Sequence, residues 1–149
     1  PRVKVPGKIH IMQIEHLILA KGSAVDRDSH SLSVFEMIEQ MQIQAPQFPV
    51  NVPVHAVLVF RRQNEEKGTI SDSWQMSLKA PDGKTLMSQV LEVKMEDKHR
   101  RQRLRVNFPM QILSDGTYVI ELRNRNNEYS SRELSVDVKA ITDTPPAQA

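Results

Sequence analysis

The chain has 149 residues, 20 Lys and Arg against 18 Asp and Glu, 39% apolar residues and 26% charged ones, and no cysteine. This length suits one domain with a sizeable core, so neither a metal nor a disulfide is needed for folding. The missing cysteines exclude a disulfide framework, a thiolate metal site and a cysteine nucleophile, and they fit a reducing compartment. A formal charge of only +2 excludes an overall basic field as the driver of nucleic-acid or membrane binding.

At the N-terminus, basic Arg2, Lys4 and Lys8 precede the apolar stretch Ile9–Ala20 and imitate a signal peptide. Gln13, Glu15 and His16 interrupt the stretch, and no small-residue cleavage site follows, so it is read as a strand over Ile14–Ala20. No apolar run approaches the roughly 20 residues of a membrane span. Residues 1–11 are taken as an extension before Met12.

Ser31–Gln44 is ambiguous. Ser-Leu-Ser-Val alternates as a strand does, whereas Val34, Met37, Ile38 and Met41 have helical spacing. The β character of the flanking sequence favours a strand at Leu32–Met37. Pro46 and Pro49 end that element and make Ala45–Pro53 an extended connection. Val54–Arg61 is a dense β-branched and aromatic run, suited to a central strand covered on both sides.

Beyond it, period-two alternation dominates. Trp74, Met76 and Leu78 share one face, which makes Trp74 a predicted core residue. Leu91, Val93 and Met95 follow the same rule, as do Leu104, Val106 and Phe108. Tyr118, Ile120 and Leu122 continue it, and Leu134, Val136 and Val138 complete it, each against polar neighbours. Ala80-Pro81-Asp82-Gly83-Lys84 and Ser114-Asp115-Gly116 are turn sequences. Strands with one apolar and one polar face, recurring at short intervals, predict an all-β antiparallel β-sandwich of about seven or eight strands, immunoglobulin-like or C2-like. The single domain is expected over residues 12–141, with residues 142–149 a disordered tail around Pro145-Pro146.

Motifs of chemistry are scarce. His10, His16, His30, His55 and His99 are scattered without metal-ligand spacing. Asp26-Arg27-Asp28-Ser29-His30 sets two acids in a loop, but Arg27 between them opposes a Ca²⁺ site, and a solvated turn is the favoured reading. Ser23, in Lys21-Gly22-Ser23-Ala24, lacks the second glycine of a nucleophile elbow, and there is no phosphate-cradling glycine loop. The methionines Met76, Met87 and Met95 are read as core filler. No residue is assigned to catalysis, to a cofactor or to a metal.

One composition shift stands out. From Lys94 to Arg105 there are six Lys or Arg against two acids. On a strand, Arg101, Arg103 and Arg105 share the outward face and, with Arg100, form a candidate anion-binding stripe. Arg61, Arg62, Arg123 and Arg125 extend it if their strands lie nearby. The same arginines also suit an edge strand guarded against aggregation, and no aromatic is interleaved to stack a base.

The segment Met12-Gln13-Ile14-Glu15-His16-Leu17-Ile18-Leu19-Ala20 with Gly22, then Leu32–Ile38, Phe48-Pro49 before Val54–Phe60, and Gly116-Thr117-Tyr118-Val119-Ile120 resembles a family of small bacterial proteins with no assigned function. The resemblance spans roughly residues 12–140. It implies a β-sandwich of bacterial, cytoplasmic origin and carries over no active-site residues. The functional expectation is a non-enzymatic binding or protein-interaction module with a protein partner and no membrane association. The alternatives are polyanion binding through Arg100–Arg105, with nucleic acid less favoured, and an unrecognised hydrolase whose groups converge from distant loops.

Overall fold

The computed structural model describes residues 12–63 and 68–141; the expectations for residues 1–11 and 142–149 lie outside these. Nine strands occur among the described residues, and none of those residues is helical. They are β1 (Met12–Val25), β2 (Leu32–Met37), β3 (Gln40–Ala45), β4 (Val50–Arg62), β5 (Ile70–Lys79), β6 (Thr85–Met95), β7 (Arg101–Ile112), β8 (Gly116–Asn124) and β9 (Tyr129–Ala140). Two sheets form, one in the order β2-β1-β4-β7 and one in the order β3-β9-β8-β5-β6.

The alternation sets what is buried. Trp74, Met76 and Leu78 are fully buried, as are Tyr118, Ile120, Leu122 and Leu134. They meet Leu17, Leu58, Phe60, Phe108 and Met110 of the other sheet in one core. At its centre the Phe60 and Trp74 rings lie 5.2 Å apart, tilted by 53°, a separation within the favourable range for aromatic pairs. The turns follow their residues. In Ala80–Lys84, Gly83 adopts a φ of 87° and its N–H donates to the Ala80 carbonyl at 2.9 Å.

Tyr118, at the start of β8, fastens the crossing from β7. Its Oη accepts from the N–H groups of Leu113 (3.0 Å) and Ser114 (3.2 Å) and donates to the Ser114 carbonyl (2.9 Å). The phenol is thus buried with its polar end satisfied.

Three features correct the sequence expectations. First, the second sheet is mixed: β3 pairs with β9 in parallel, from Gln40 opposite Ser135 to Ala45 opposite Ala140. Ile38 and Glu39 carry the chain from one sheet to the other, and short-range alternation is blind to the direction in which a strand finds its partner. Second, Gln40–Ala45 is itself a strand, which brings the number to nine. Leu32–Met37 is a strand, as favoured. Third, β4 begins at Val50 and runs through Pro53, which stands directly opposite Pro109 of β7. Two facing residues without N–H fit only where neither donates across the pair. Pro109 lies on an edge strand, and β1 pairs with β4 only from His55 onward.

Candidate anion-binding pocket

The outer face of the first sheet is built from the register of β4 on β7. His55 faces Asn107, Val57 faces Arg105, Val59 faces Arg103 and Arg61 faces Arg101. Arg101, Arg103 and Arg105 therefore form one row on β7, an edge strand.

The β1–β2 hairpin meets this row. β1 pairs with β4 from Met12 to Ala20 and then departs from it, while its pairing with β2 runs on to Val25. The departing part folds back over the face. The Ser23 carbonyl lies 3.5 Å from Arg105 Nη1, and the His30 carbonyl accepts from Arg103 Nη2, although β7 stands two strands from β1 in the sheet. Val57 and Val59 on this face are buried, at 0% and 8% exposure, although neither belongs to the central core. The arginine stems and the hairpin keep these valines from water.

The hairpin loop is held by one of its own acids. The Asp26 carboxylate accepts from the N–H groups of Asp28 (2.8 Å) and Ser29 (3.2 Å), which hold its pKa below the usual aspartate range. This carboxylate is spent on the turn. Among the described residues no three His, Cys, Asp or Glu side chains gather as a metal site.

Val25, His30, His99, Arg101, Gln102, Arg103 and Arg105 line an open cavity of about 570 Å³. Arg101 donates to both oxygens of Glu15 (3.0 and 3.2 Å), which also lies 3.8 Å from Arg61. Among the described residues Arg103 and Arg105 meet no carboxylate, and the hydrogen bond that each guanidinium makes there is to a backbone carbonyl. A guanidinium has five N–H donors, so both retain free valence toward an anion.

The other basic residues divide. Arg100 precedes β7, is exposed and does not line the cavity. Arg61 adjoins Arg101 and extends the row. Arg62 turns inward, 3% exposed, and donates to the carbonyls of Gly68 (2.8 Å), Glu96 (2.8 Å) and His99 (3.1 Å), tying the β6–β7 connection to the end of β4. Arg123 lies on β8 of the other sheet and Arg125 in the turn that follows it; the Arg123 guanidinium lies 5.1 Å from the centre of the Tyr129 ring.

One constellation went unread in the sequence. His55 Nε2 is 2.5 Å from Ser23 Oγ, and His55 Nδ1 is 2.6 Å from Asn107 Oδ1. An amide oxygen only accepts, so Nδ1 carries the proton and Nε2 accepts from the serine hydroxyl. The orienting group is an amide rather than a carboxylate, and the ring is only 8% exposed. The available signal was a histidine within an otherwise apolar strand, since a buried imidazole needs partners.

The fold and pocket define an all-β protein of two sheets with a basic cavity at the edge of one of them. Residues 23–137 match the family of unknown function DUF6941, and the chain belongs to that family. No curated protein matches it. Among solved structures it is similar to Pseudomonas fluorescens alkylpurine DNA glycosylase AlkC bound to DNA containing an abasic site analog. The identity is 9%, over 85% of this chain and 30% of that one, with a TM-score of 0.51. A β-glucosidase from Listeria innocua in complex with glucose is 7% identical over 85% of this chain and 16% of its own, with a TM-score of 0.47. A β-D-glucoside glucohydrolase from Trichoderma reesei is 10% identical over 84% and 18%, also with a TM-score of 0.47. The chain thus spans less than a third of each of these chains. The likeness to the glycosylase is one of fold alone. Among the described residues no helix is long and apolar enough to cross a membrane.

Proposed function

We propose that this protein is an immunoglobulin-like sandwich serving as an interaction module, and that its basic pocket takes a short acidic segment of a partner protein. For the fold, the support is β1-β4-β7 opposing β9-β8-β5-β6, with the tyrosine at the β7–β8 crossing bonded to backbone a few residues upstream. For the function, the carrying observation is the convergence of Arg103 and Arg105, free of carboxylates among the described residues, on one cavity with His30 and His99. The absence of cysteine accords with a reducing compartment such as a cytoplasm as its setting.

An acidic peptide is favoured over an extended polyanion by what flanks the pocket. Glu15 neutralises Arg101 at one end of the row, and the hairpin loop, whose His30 carbonyl meets Arg103, carries Asp26 and Asp28. A continuous phosphate backbone would run onto these acids, whereas a few glutamates fit between them. Among the described residues the cavity has no Phe, Tyr or Trp in its lining to serve as a stacking platform for bases.

Fluorescence anisotropy with a labelled glutamate-rich peptide tests this reading. The wild type should bind at low salt, and the double variant Arg103→Gln/Arg105→Gln should lose at least about tenfold in affinity, since each charge-assisted bond contributes roughly 1.5–3 kcal/mol. Equal binding by the double variant, or tighter binding of single-stranded DNA than of the peptide, refutes it.

A further inference from the structure

Resting on that reading, we infer that His55 is a specificity-determining residue, a latch that holds the hairpin across the arginine row and so restricts the pocket to short ligands. Beyond Ala20 the hairpin has left β4. The side-chain contacts that seat it on this face are Ser23 with His55, Arg105 with the Ser23 carbonyl and Arg103 with the His30 carbonyl. At 3.5 Å the Arg105 contact is at the limit of a hydrogen bond. The His55 link is as short as the Arg103 contact, and unlike that contact, whose guanidinium faces the pocket, it is anchored on its far side: Asn107 fixes the tautomer, and the tautomer makes Nε2 the acceptor that Ser23 requires.

The seated hairpin crosses the row at Arg103 and Arg105. A chain laid lengthwise along Arg101, Arg103 and Arg105 collides with it, whereas a short segment enters from the open edge of β7. Release of the latch lifts the hairpin, uncovers Val57 and Val59, and turns the pocket into an open basic strip. His55 and Ser23 touch no ligand; they position the lid that does the selecting.

The test compares wild type, Ser23→Ala and Ser23→Thr, the last retaining the hydroxyl. The readout is the ratio of dissociation constants for the glutamate-rich peptide and for heparin. Ser23→Ala should move the ratio about tenfold toward heparin, the effect of one lost hydrogen bond, and Ser23→Thr should keep the wild-type ratio. Amide hydrogen exchange over residues 21–36 should quicken by a similar factor in Ser23→Ala alone. Peptide binding by all three proteins with an unchanged ratio overturns the latch and leaves the pocket standing. Unchanged exchange in Ser23→Ala overturns the latch irrespective of any ligand. Failure of the wild type to bind the peptide overturns the pocket, and the inference with it.

Discussion

Replacing Trp74 in two ways separates its packing from its polarity. The indole is fully buried against Phe60, and its Nε1 has no acceptor among the described residues. Truncation by Trp74→Ala leaves a large cavity in the shared core and should cost about 3–5 kcal/mol. For a chain of this size that is a fall of about 10 °C in melting temperature. Trp74→Phe behaves differently. It forfeits the smaller ring of the indole, about 1–2 kcal/mol of packing, but it also removes an orphaned buried donor whose desolvation costs about 1–3 kcal/mol. The two effects offset each other, and Trp74→Phe should lie within about 1 kcal/mol of wild type. Urea unfolding followed by far-ultraviolet circular dichroism reads both variants without the lost fluorophore. A phenylalanine variant as unstable as the alanine one would show that the N–H is satisfied. An alanine variant costing less than about 1 kcal/mol would refute the burial itself.

Tyr118→Phe should cost about 1–3 kcal/mol, because it strips one acceptor and one donor from the β7–β8 crossing; a change below about 0.5 kcal/mol in urea titration would mean that the phenol is not a fastener. Asp26 supplies a pH dependence of definite sign. The N–H of Asp28 first, then that of Ser29, lowers its pKa in the folded state. Its contribution to stability is therefore fully present above the ordinary aspartate value and is lost as the pH falls through the folded value. Asp26→Asn should flatten that acid limb in thermal melts taken across the range, and an unaltered limb would show that the turn does not depend on the carboxylate.

The inner faces of the strands were legible because burial repeats every second residue. Trp74, Met76 and Leu78, or Tyr118, Ile120 and Leu122, need no long-range information to be assigned inward. The row of Arg101, Arg103 and Arg105 followed from the same rule. What the rule does not carry is direction and curvature. The parallel pairing of β3 with β9 depends on a two-residue switch between sheets, and the landing of His30 on Arg103 depends on where β1 parts from β4. Arg62 illustrates the remainder: next to Arg61 in sequence, it differs only in facing inward, where backbone carbonyls rather than solvent receive it. Ser23, His55 and Asn107 lie 32 and 52 residues apart, and only the folded-back hairpin joins them.

The parallel pairing of β3 and β9 also bears on how the molecule carries mechanical load. Tension applied at the C-terminal end of β9 acts along the strand axis and shears the slanted bonds that join it to β3 across six register positions. Those bonds are evenly spaced and share the strain together, rather than opening one after another as they would if peeled from an end. On its other side β9 is sheared against β8 from Tyr129 to Val136. The last strand is thus gripped along both margins, and the domain is built to hold when pulled from that end.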